Sequence, residues 1–105
     1  MKILLDECVP WPMRRLLENH ERDNAQRRGW GGASNGELLR LAEAEFDLFI
    51  TSDQNLRYQQ NLLSRSIAIL ELSTNDLRQI LAAGSLIEAA IADIRPGEYR
   101  QLEIP

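Results

Sequence analysis

A chain of 105 residues, 44% hydrophobic and 27% charged, can fold around one hydrophobic core and is too short for two. No apolar run is long enough to span a bilayer, and a net charge of -4 argues against a protein that coats DNA by bulk electrostatics. The lone cysteine, Cys8, excludes an internal disulfide or a self-contained zinc site, and fits a reducing compartment.

The chain opens on "MKILLDE" with no charged leader, long apolar stretch or cleavage site, and so reads as cytosolic. "KILLD" (2–6) is a nearly continuous apolar run ending in acid, the pattern of a strand covered on both faces. Pro10 and Pro12 suit a turn and a first helical turn, and "MRRLLEN" completes a short helix. "HERDNAQ" (20–26) is too polar for a central strand and is expected at a sheet edge, if it pairs. "RRGWGGAS" (27–34) reads as an exposed, mobile loop, loosened by three glycines.

"SNGELLRLAEAE" (34–45) reads as a helix with Leu38, Leu41 and Ala42 on one face. The strand "DLFIT" follows, then a helical stretch "QNLRYQQNLLS" and a strand "SIAILEL" (66–72). From Ser73 to Ile94 the apolar spacing is helical, with a break expected at Gly84-Ser85, where a stop precedes a new capping box ending in Glu88. "RPG" turns the chain into a last strand, "EYRQLEI". Strands alternating with helices predict a single three-layer α/β/α domain with a mostly parallel sheet. Right-handed crossovers put the second strand on one side of the first and "DLFIT" on the other. A topological switch point then lies beside the first strand, where ligands bind outside the carboxyl ends.

Asp6 ends one of those neighbouring strands and Asp53 follows the other, so both carboxylates are expected at one crevice. Glu37, in the first turn of the helix leading into "DLFIT", has reach to the same end of the sheet, and Glu7 is a further candidate. Converging carboxylates suit a hard cation such as Mg²⁺ or Mn²⁺, which activates water and neutralises charge on a phosphate. Each acid also has a structural explanation. Asp53 suits a helix N-cap, Ser34-x-x-Glu37 is a capping box as written, and Glu7 is accounted for by solvent. Asp6 is harder to explain this way, because a carboxylate at the end of a buried strand needs a partner.

"MKILLDE", "SNGELLRLAEAEFDLFITSDQNLRYQQNL" and "RPGEYRQLEI" together resemble the small bacterial PIN-like proteins, over nearly the whole chain, and "TSDQNLRYQQNL" is the most specific stretch. The resemblance implies a parallel α/β/α sandwich whose acids hold Mg²⁺ or Mn²⁺ and cleave RNA, as the nuclease component of a toxin–antitoxin system. It assigns catalysis and metal binding to Asp6, Asp53 and Glu37. It implies RNA and a small antitoxin-like protein as partners, and leaves room for a homodimer. Asn35 and Asn55 stand where many such proteins carry Asp. A PIN-like module that works by binding another protein, without catalysis, is the alternative.

Basic and aromatic residues complete the candidates. Lys2 is the only lysine, so the positive charge is carried almost wholly by arginine, whose planar fork suits phosphate. Trp30 between Arg27-Arg28 and Gly31-Gly32 offers a base-stacking surface beside phosphate-binding charge, and so does Arg57-Tyr58 just past Asp53. A loop anchor explains Trp30 equally well. Two rival readings fail. A phosphoacceptor receiver needs a lysine after a late strand, and a cysteine phosphatase built on Cys8 and Arg14 would need the N–H groups that Pro10 and Pro12 lack. Lone His20, in a polar segment without a nucleophile beside it, reads as a surface residue.

Overall fold

In the computed structural model, which describes residues 1–56 and 65–105, the chain forms one five-stranded sheet. Its strands are β1 (Lys2–Leu5), β2 (Glu21–Asn24), β3 (Leu48–Thr51), β4 (Ala68–Leu72) and β5 (Tyr99–Leu102). They lie in the order β2-β1-β3-β4-β5, and every pairing is parallel. β1 therefore has β2 on one side and β3 on the other, as the crossover argument required.

Apolar alternation splits the core into two halves, one on each face of the sheet. Ile3, Leu5, Leu48, Ile50, Leu70 and Leu72 face one way, onto a 3₁₀ helix (Trp11–Leu17) and helices α2 (Leu77–Ala82) and α3 (Gly84–Asp93). Leu4, Phe49 and Ile69 face the other way, onto α1 (Asn35–Glu45). Three layers result, and the central strands are buried on both sides: β3 and β4 expose nothing. β2 is an edge strand with Glu21 and Arg22 exposed, consistent with its polar sequence.

Local chemistry explains where the elements differ from expectation. The segment after Pro10 is 3₁₀ and not α, with proline in its first turn and no side-chain cap. α1 buries Leu39 together with Leu38 and Ala42, while Leu41 is only half-buried. The break in the last helical run falls at Ala83, and Gly84 begins α3 without any side-chain cap. The break expected at Gly84-Ser85 is thus present one residue earlier, without its capping box. A Cβ on Gly84 would stand 3.0 Å from Leu16 Cδ2, so glycine lets α3 approach the 3₁₀ helix closely. The helical stretch expected over 54–64 lies mostly outside the described residues. No helix among the described residues is long and apolar enough to cross a membrane.

Candidate functional site at the carboxyl edge of the sheet

β1 and β3 run parallel with Leu5 opposite Ile50, so the residues that follow them emerge side by side. Asp6 extends the ladder by one step, its N–H donating to the Ile50 carbonyl at 2.9 Å. The Asp6 side chain is buried, at 8% exposure, and its own chain surrounds it with donors. Oδ1 accepts from the Glu7 N–H at 2.8 Å. Oδ2 accepts from the Thr51 hydroxyl at 2.7 Å and from the Cys8 thiol at 3.3 Å. These bonds supply the partners that a carboxylate ending a buried strand requires.

Thr51 ties the two aspartates together. Its single hydroxyl proton goes to Asp6, and its oxygen accepts from the Asp53 N–H at 3.0 Å. Asp53 is half-buried and turns Oδ1 onto the Asn55 N–H at 2.9 Å, an Asx turn that starts the next helical turn at Leu56. The capping role expected of Asp53 is thus formed, at a position that follows β3 on the shared edge.

Cys8 closes the network from below. The Ser52 hydroxyl lies 3.2 Å from its sulfur, and the Ser52 N–H lies 3.5 Å away. Burial is the main reason its thiol pKa is raised above the ordinary 9.0, with the Asp6 charge adding to the effect against hydrogen bonds from Ser52 and Thr51. A protonated thiol donating to a carboxylate is a positioning group, not a nucleophile.

Glu37 does not join this network. Ser34 caps the helix by accepting from the Glu37 N–H at 3.3 Å, and the exposed Glu37 carboxylate lies 3.7 Å from Arg40. Among the described residues no three His, Cys, Asp or Glu side chains group so as to hold a metal ion, and the three-carboxylate cluster of Asp6, Glu37 and Asp53 is therefore not formed. Glu7 is exposed, with Oε2 3.7 Å from where a Cβ on Gly31 would sit. His20 precedes β2, at the opposite edge of the sheet.

The 27–34 loop is exposed at Arg27, Gly29, Gly31, Gly32 and Ser34, as its glycines suggested, but it is anchored. Its backbone is pinned by bonds from Trp30 N–H to Ala25 at 2.8 Å and from Ala33 N–H to Trp30 at 3.1 Å, with Gly29 and Gly32 at positive φ. Trp30 is half-buried and meets Phe46 edge-on, with centroids 6.2 Å apart. Arg28 stacks over both rings at 5.2 and 5.1 Å and pairs with Glu45. This group anchors the loop to the start of β3. Arg27 points elsewhere, over Trp11, with its Nε on Asp23 at 3.0 Å. Arg57 lies outside the described residues.

The sequence reading missed one further acid. Glu71, on β4, is 3% exposed and stands in register with Thr51 on one side and Gln101 on the other. The Tyr99 hydroxyl donates to Oε1, and the Gln101 amide donates to Oε2 at 3.0 Å. The available signal was a single acid inside the apolar run "AILEL". Asp6, Thr51, Glu71 and Gln101 thus make a polar row along the carboxyl edge of four neighbouring strands.

Mg²⁺ keeps several waters and is held through one or two carboxylates plus substrate phosphates. Among the described residues a site with three protein carboxylates is not provided, and Asp6 and Asp53 are the two acids that follow β1 and β3 at this edge. Comparison with protein-family models, curated proteins and solved structures returns no match.

Proposed function

We propose that this protein is a PIN-type ribonuclease dependent on Mg²⁺ or Mn²⁺, the toxin-like partner of a small antitoxin-like protein. One observation carries the reading. An aspartate follows each of two adjacent parallel strands at their carboxyl ends, beside the topological switch point, and one threonine hydroxyl bonds both the Asp6 carboxylate and the Asp53 backbone N–H. A bound divalent ion supplies water activation and neutralisation of phosphate charge. Asp6 and Asp53 would hold it, and Thr51 fixes the Asp6 carboxylate while setting the backbone of Asp53. The toxin-like role and the antitoxin-like partner rest on the sequence resemblance alone. The test is cleavage of single-stranded RNA by the purified protein in Mn²⁺, against Asp6→Asn and Asp53→Asn. Activity is expected in the parent only, and equal activity in the variants would sink the assignment.

A second reading, a PIN-like module that binds a protein without catalysis, is favoured by the three hydrogen bonds Asp6 already accepts and by Glu37 lying on Arg40. It predicts no cleavage under any metal condition.

A further inference from the structure

Arginine–tryptophan chemistry was expected at Trp30, yet Arg28 and Trp30 turn onto Phe46 and Glu45. The same chemistry reappears at Trp11. Trp11 opens the 3₁₀ helix just past the loop that follows Asp6, and two guanidinium groups lie over its ring. Arg14 sits 5.0 Å from the ring centroid and Arg27 5.2 Å. Arg14 comes from the next turn of the same helix, and Arg27 from the turn that follows β2. The three residues therefore gather over the carboxyl ends of β1 and β2, the side of the switch point away from Asp53.

We infer that Trp11, Arg14 and Arg27 form a phosphate-binding subsite for single-stranded RNA, one strand over from the Asp6–Asp53 edge. The inference rests on the reading of RNA as substrate. Stacking on indole holds an arginine side chain in place, so little further rotamer freedom is lost when it meets a phosphate. The donors are also available. Arg27 commits Nε to Asp23, and Arg14 makes one long bond of 3.4 Å from Nη1 to the Trp11 carbonyl. Their other guanidinium nitrogens make no hydrogen bond or ion pair among the described residues. The Arg27 side chain is 64% exposed, so a ligand can reach it.

Charge distribution supports the same partner. The chain carries a net charge of -4, but residues 14–28 hold five arginines against three acids. This basic segment forms one flank of the molecule, made of the 3₁₀ helix, the edge strand and the turn after it. A strand of RNA lying along the carboxyl edge would pass from arginines at β2 to carboxylates at β1 and β3. Backbone phosphates want the first, and a divalent ion shared with the scissile phosphate wants the second.

The experiment is fluorescence anisotropy of a labelled single-stranded RNA oligonucleotide with the full chain in EDTA, across a salt series. Arg14→Gln, Arg27→Gln and the double variant are compared with the parent. Each arginine that contacts a phosphate should contribute about 0.7 to the log–log salt slope for a single strand, so the double variant should lose about 1.4. Affinity should fall several-fold for each substitution while the melting temperature stays near that of the parent. Trp11→Phe, which keeps a ring under both guanidinium groups, should bind more tightly than Trp11→Leu. An unchanged slope and affinity in the double variant overturns the subsite, and so does a parent protein that binds no RNA. Cleavage in Mn²⁺ is scored separately. Loss of binding in the variants of a parent that never cleaves supports the subsite and removes only the nuclease reading.

Discussion

Thr51 is the residue on which the carboxyl edge depends. It is fully buried, gives its only proton to Asp6 and accepts from the Asp53 backbone. Thr51→Val keeps the shape and removes both bonds, leaving a buried carboxylate short of its closest donor. A loss of about 1–3 kcal/mol in urea unfolding is expected, with most of it recovered by Thr51→Ser. A valine variant as stable as the parent would show that Asp6 is satisfied without the hydroxyl. Cys8, beside it, gives a pH-dependent prediction. Its thiol pKa is raised above 9.0 in the folded state, so the unfolded chain releases that proton first. The stability it contributes is complete below 9.0 and declines as pH rises beyond that value. The alkaline loss of stability should therefore be shallower in Cys8→Ala than in the parent, measured by chemical unfolding at a series of pH values. Identical pH profiles would remove the buried thiol from the account.

At the scale of elements, the row across β1, β3, β4 and β5 makes Glu71 a test of whether the edge is held from both ends. Glu71→Leu would remove the acceptor of the half-buried Tyr99 hydroxyl and of the exposed Gln101 amide, and about 1–3 kcal/mol of stability should be lost, mainly at Tyr99 because water can serve Gln101. Glu71→Gln keeps an acceptor for Tyr99 and should cost less. Equal stability of the leucine and glutamine variants would mean that water already serves those groups. The central strands were legible in the sequence because continuous apolar runs, "KILL", "LFIT" and "AILEL", occur where both faces are covered, and the crossover rule gave the neighbours of β1. Side-chain partners were less legible. "RRGWGG" has the composition of a loose loop, but its conformation depends on Phe46 and Glu45, residues far along the chain. "AAGSLIE" has a capping-box sequence, but the close approach of Leu16 determines what Gly84 does there. Non-local contacts decided both cases, and local pattern does not carry them.

For the whole molecule, the carboxyl edge has a polarity of its own, running from arginines above β2, through Asp6 and Asp53, to Glu71 at β4. The switch-point position of Asp6 and Asp53 followed from topology and could be read from the chain. Glu37 stays apart for a local reason that was also in the chain, the Ser34 cap and the Arg40 one helical turn further along α1. That separation sets the strength of any metal site. Two carboxylates with water should hold Mn²⁺ more tightly than Mg²⁺, following the general order of affinities, and both only weakly. A ligand present at about ten times its Kd stabilises the folded state by roughly 1.4 kcal/mol, which raises Tm by several degrees in a domain of this size. Thermal melts in millimolar-range Mn²⁺ should therefore show a small upward shift for the parent. Asp53→Asn should melt near the parent without metal, because asparagine Oδ1 can still accept from the Asn55 N–H. It should lose the Mn²⁺ shift. Asp6→Asn should also lose the shift but melt lower from the start, since an amide cannot accept from Thr51, Cys8 and Glu7 at once. The two substitutions thus separate metal binding from the structural load on the same edge. A parent that shows no shift with either ion, with the two variants still differing in intrinsic stability, would leave the network as structure alone and favour the protein-binding reading.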